Sequence, residues 1–139
     1  KMDMCIARAM ARISDADVFV LDPVPNCTEM MCDTLTYDFV RTLRVLRPEV
    51  PIIMVEGPMY TYAKYDSYFK EYLPKKNVAF RRNYERLIAD GYKDIYYVTS
   101  DGICGDDNEG TVDGIHYTDI GFRRYADKLI PIIKPLLER

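Results

Sequence analysis

Pro51-Ile52-Ile53-Met54-Val55-Glu56 reads as a strand buried on both faces. Its four apolar residues run on without alternation. That is the pattern of a parallel sheet covered above and below, not of a sheet with one wet face. Gly57-Pro58 ends it, because proline cannot donate to a strand ladder. Working outward, residues 16–21 (Ala-Asp-Val-Phe-Val-Leu) and 94–99 (Asp-Ile-Tyr-Tyr-Val-Thr) repeat the same short apolar form.

Helical patterns lie between and around these strands. Asp3 can cap a first helix with Ile6, Met10 and Ile13 on one face. A second starts between Thr28 and Thr34, turns Leu35, Phe39, Leu43 and Leu46 inward, and stops at Pro48. Asn77 can cap a third, with Phe80, Tyr84 and Leu87 inward and Gly91 at its C′ position. Thr118 can cap the last, with Phe122, Tyr125, Leu129 and Ile133 inward and a kink at Pro131. Residues 59–75 show no period. Strands alternating with helices predict an α/β fold with parallel pairing. Ligands in such a sheet bind beyond the carboxyl ends of the strands. Those ends carry residues 22–26, 56–60 and the Gly/Asp-rich 100–116 loop.

The 139 residues suit one domain, and 48% apolar with 29% charged residues is a globular balance. A net charge of -3 gives no basic surface for nucleic acid. No apolar run reaches the ~20 residues that span a bilayer. Residues 1–4 contain no apolar signal segment, and the chain opens straight into a helical pattern, so this end leaves export undecided. Cys5, Cys27, Cys32 and Cys104 match no zinc spacing. Cys27 and Cys32 can pair in an oxidising compartment, although idle buried thiols are the plainer reading. Asp101, Asp106, Asp107 and Glu109 do not fit a calcium loop and read as a solvated acidic stretch.

His116 is the single histidine, so imidazole chemistry must use it. Asp113 precedes it by three residues, a turn short enough to bring the carboxylate to Nδ1. That bond fixes the tautomer and leaves Nε2 as a general base. A lone histidine beside an aspartate is more often a surface residue in a polar loop, but here the wider string decides otherwise. Asp113-Gly114-Ile115-His116-Tyr117-Thr118-Asp119-Ile120-Gly121-Phe122 closely resembles the last block of the SGNH/GDSL hydrolases, differing at Tyr117, where proline is common. Asp22-Pro23-Val24-Pro25-Asn26 resembles a subgroup reading Asp-x-x-Pro-Asn, in which the asparagine amide helps form the oxyanion hole.

The resemblance implies a three-layer sandwich around a parallel, flavodoxin-like SGNH-hydrolase sheet, of which this chain holds three strands. It implies that residues 1–139 are the C-terminal portion of one such domain. The family's nucleophile block and its second, glycine-bearing block should precede Lys1, and Ser14, Ser67 and Ser100 lack the glycine-flanked setting of a nucleophile. The strand at 17–21 should then lie at an open edge, with 51–55 between it and 95–99. That edge should be covered by the missing part of the domain or by another chain. The implied reaction is hydrolysis of a small-molecule or carbohydrate ester without metal or organic cofactor. His116 acts as base, Asp113 as its orienter, Asn26 as oxyanion donor, and a serine from outside the chain as nucleophile. Glu56 reads as a strand-end residue that orients or caps. The tyrosines of 59–75 line a cleft or pack on the sheet edge. The rival reading is a non-catalytic flavodoxin-like binding module.

Overall fold

The computed structural model describes residues 2–138. Three strands are present among them: β1 (Phe19–Leu21), β2 (Ile52–Val55) and β3 (Ile95–Val98). They form one parallel sheet in the order β1-β2-β3, with Phe19 paired to Ile52 and Ile52 to Ile95. β2 is central and wholly buried, and β1 lies at an edge, as the sequence predicts.

Four helices flank the sheet: α1 (Met4–Met10), α2 (Glu29–Leu46), α3 (Ser67–Ala89) and α4 (Asp119–Leu137). Alternation along the strands sorts them into layers. Phe19, Leu21, Ile52, Met54 and Ile95 share one core with Ala7, Phe39, Leu43, Phe80 and Leu87 of the first three helices. Ile53, Val55 and Val98 point the other way and pack with Leu129 and Leu136 of α4. The result is helix, sheet, helix, a three-layer α/β arrangement. No helix among the described residues is long and apolar enough to cross a membrane.

Helix faces were less legible than helix existence. α1 ends at Met10, and Ile6 and Ile13 are exposed. Its inward side is Met4, Ala7, Met10 and Ala11, a stripe at i, i+3, i+6 and i+7 that meets α2. Asp3 stands at the N-cap position, but its side chain makes no capping bond. In α2, capped by Thr28, the inward stripe is Cys32, Thr36, Phe39, Val40 and Leu43, and Leu46 is exposed.

α3 is the largest departure. It starts ten residues before Asn77, where the Asp66 carboxylate accepts from the Tyr68 and Phe69 amides, and it passes through Pro74. Asn77 is no cap. It is buried mid-helix, where its amide donates to the Gly57 carbonyl (2.8 Å) and accepts from the Gly57 N–H (2.9 Å). The exit from β2 thus gains a side-chain partner that stands in for a strand. Gly91 does follow the helix with φ +88°, a conformation that costs a residue with a side chain. In α4, Leu129 is buried and Tyr125 and Ile133 are half-buried, but Phe122 is 59% exposed. The helix runs on through Pro131 and Pro135.

Candidate active site

The loop from β3 to α4 is held in place by hydrogen bonds along its whole length. Glu56, buried at the carboxyl end of β2, accepts from the Ser100 amide (3.0 Å) and hydroxyl (3.3 Å), from Tyr97 Oη (2.9 Å), and from Arg81 (2.6 Å). Farther along, Arg124 of α4 clasps Asp107 with both terminal nitrogens (3.0 and 2.6 Å) and donates to the Cys104 carbonyl. Thr118 caps α4 through the Gly121 amide and donates to the Glu109 carbonyl (2.6 Å). A Thr111–Tyr117 bridge and the Val112 N–H to His116 O bond (2.7 Å) close a small hairpin. Its tip is Asp113-Gly114-Ile115.

That hairpin brings the two predicted side chains together. Asp113 Oδ1 accepts from the amides of Ile115 (2.9 Å) and His116 (2.8 Å), while Oδ2 lies 2.6 Å from His116 Nδ1. The His116 amide, the His116 ring and the Ile115 amide hold the Asp113 carboxyl well below the usual carboxylate range. An ionised Asp113 accepts only, so Nδ1 is the ring nitrogen that donates to it, and the neutral tautomer this bond selects has its lone pair on Nε2. The imidazole is 80% exposed and opens on a cleft of about 500 Å³.

Asn26 lines the same cleft, on the short 3₁₀ turn Val24–Asn26 that follows β1. His116 and Asn26 therefore share one cleft at the carboxyl edge of the sheet, and Asp113 joins them through its bond to the His116 ring. Cys27 and Cys32, next to this turn, are separate buried thiols.

Tyr60, one of the tyrosines of residues 59–75, lines this cleft, in keeping with one of the two readings of that segment. Asp22 and Tyr117 line it too but were given no place in a site from sequence; Asp22 had only its position past a strand end to mark it. Asp22 accepts from Tyr125 Oη at 3.0 Å, and desolvation raises the pKa of its carboxyl against the lowering effect of that bond. Burial pushes the Tyr60 phenol up to about 12, reinforced by Asp22. Tyr117 matters more than its departure from proline implied. Its ring packs between Phe122 (centroids 5.4 Å apart) and Tyr125 (5.8 Å). Its buried hydroxyl has no hydrogen-bond partner among the described residues.

The serines lie elsewhere. Ser14 is in the turn after α1, Ser67 opens α3, and Ser100 is held by Glu56. Comparison with known proteins now adds a name to the geometry. A model of the GDSL-like lipase/acylhydrolase family matches residues 1–134. The chain belongs to that family. Among solved structures, this GDSL-like chain is similar to a GDSL-like lipase from Bacteroides ovatus, with 35% identity and a TM-score of 0.92 over 99% of its residues. It spans 40% of that protein's length. Two others share the fold. A salicylyl-acyltransferase from a tetracycline biosynthetic pathway is 16% identical (TM-score 0.74), with 97% of this chain and 42% of that one covered. A Clostridium thermocellum family 3 carbohydrate esterase is 19% identical (TM-score 0.65), with 96% and 67% covered. No curated protein shows significant similarity to the chain.

Proposed function

We propose that this GDSL-family chain carries the His–Asp pair and an oxyanion donor of a carboxylic ester hydrolase, with the serine supplied from outside these 139 residues by the remainder of the same domain. The open edge of β1 is where those missing strands pair. The observation that carries the reading is the 2.6 Å contact between His116 Nδ1 and Asp113 Oδ2, with His116 lining a cleft shared with Asn26. A non-catalytic binding module has no use for an imidazole so oriented.

In this scheme the serine hydroxyl, seated in the cleft beside Nε2, loses its proton to His116 as its oxygen attacks the ester carbonyl. The imidazolium that forms is stabilised by Asp113, which stays ionised. The Asn26 amide donates to the oxyanion, a contact whose loss typically costs ~10²–10³ in turnover. His116 then gives its proton to the leaving alcohol. Water repeats the cycle on the acyl-enzyme. The substrate is an ester of a small molecule or a carbohydrate, and the chemistry needs no metal or organic cofactor.

A serine-directed fluorophosphonate probe tests where the nucleophile resides. It should label the full-length protein at a serine outside this sequence and leave the isolated 139 residues unlabelled. Stoichiometric labelling of Ser14, Ser67 or Ser100 in the isolated chain contradicts the scheme.

A further inference from the structure

We infer that Lys76 is a positioning residue for the oxyanion donor: its buried ammonium pins the turn that carries Asn26 and so keeps the Asn26 amide aimed at the reacting oxygen. The catalytic half of this inference rests on the hydrolase reading. The pinning of the turn stands on geometry alone.

Lys76 lies mid-helix in α3 and is only 5% exposed. Lysine is rarely buried so deeply without a charged partner. Burial works against its charge and lowers its pKa. Among the described residues its hydrogen-bond partner is a neutral group, the Pro25 carbonyl, at 3.3 Å. A methionine would fill similar space without the desolvation cost. What sets the lysine apart is therefore the carbonyl that it holds.

That carbonyl closes the 3₁₀ turn Val24–Asn26. The Pro23 carbonyl accepts from the Asn26 N–H (3.1 Å), and the Val24 carbonyl from the Cys27 N–H (3.2 Å). The Pro25 carbonyl belongs to the peptide that joins directly to Asn26, and its donor comes from α3. Pro23 and Pro25 have no N–H to give, so the turn has few bonds of its own. The next residue of α3, Asn77, binds both backbone polar atoms of Gly57 (2.8 and 2.9 Å). Two consecutive helix residues thus fasten the segments leaving β1 and β2. These segments touch each other: a β-carbon on Gly57 would meet Val24 Cγ1 at 2.7 Å. Pro25 and Asn26 from the first segment, and Pro58 and Tyr60 from the second, line the cleft with His116. Lys76 does not line it, so any effect on the reaction passes through Asn26. An oxyanion donor must be aimed before the charge develops, and small misplacements are costly.

The test is a double-mutant cycle on p-nitrophenyl acetate hydrolysis by the full-length protein, with hydrogen–deuterium exchange as a second readout. Lys76→Met should lower kcat about tenfold and change KM by less than about twofold. In an Asn26→Ala background the same change should cost less than about twofold, because the donor to be aimed is gone. The Asn26 and Cys27 amides should exchange about tenfold faster in Lys76→Met, with those of Ile53–Val55 at parental rates. Should the methionine not be accommodated, Lys76→Gln, a shorter neutral donor, should give the same pattern at smaller amplitude. Equal losses of turnover in the two backgrounds would overturn the inference, as would parental exchange at Asn26 and Cys27. A parent without ester hydrolysis would remove the hydrolase reading and with it the catalytic half, while the exchange rates would still decide whether Lys76 holds the turn.

Discussion

Gly121, in the first turn of α4, lies directly against the carbonyl of Gly110: a β-carbon at position 121 would meet that oxygen at 2.1 Å. The contact explains a glycine inside a helix, where it is otherwise unfavourable. It seats the loop that carries His116 on the helix capped by Thr118. Gly121→Ala must push loop and helix apart and should cost about 1–3 kcal/mol. Ile120→Ala, exposed next door, should change stability by less than about 0.5 kcal/mol. Urea denaturation of both variants checks this, and equal effects would show that the close approach is unimportant.

Glu56 should prove a structural rather than a chemical residue. Glu56→Ala strips partners from the Ser100 amide and from Tyr97 Oη, and should destabilise by about 1–3 kcal/mol. Arg81 is half-exposed, so water relieves its lost partner. Glu56→Gln keeps one acceptor oxygen and should cost less. Chemical denaturation ranks the pair, and a Gln variant as unstable as the Ala variant would shift the weight to the Arg81 charge.

Opposite signs are expected for two aspartates as pH varies. Arg124 and the Glu109 amide hold Asp107 at about 2, below its ordinary value of 3.8. Its contribution is present above the ordinary value and is lost as pH falls toward 2. Asp22 is raised by desolvation, so its contribution is present at low pH and is lost as pH rises through its folded value. Asp107→Asn should therefore lower the thermal midpoint at pH 7 and converge with wild type near pH 2. Asp22→Asn, which keeps an acceptor for Tyr125, should raise the midpoint at pH 7 and lose that gain in acid. Thermal unfolding against pH for both variants shows whether the signs hold.

The strands and the His–Asp pair were legible because their signals are local. Ile52–Val55 is apolar without alternation, and Asp113 reaches His116 within one turn. The start of α3 was not. Pro74 stands inside the helix, and proline ordinarily ends one, so the stretch before it read as irregular. Asn77 misled for a physical reason: a residue type that favours helix caps is used here mid-helix, to satisfy Gly57 across a tertiary contact. Asp22 and Tyr117 acquire their places in the cleft only when the strand ends converge. Tertiary packing also decided which side of α1 and α4 is buried.

The most direct measurement of the central claim is p-nitrophenyl acetate hydrolysis by the full-length protein with His116→Ala, alongside its thermal unfolding. The proposed scheme makes Nε2 the general base, and the imidazole is largely solvent-exposed. Turnover should therefore fall by about 10²–10⁴ while the unfolding midpoint stays at that of the parent. Near-parental turnover by a well-folded His116→Ala protein would contradict the account.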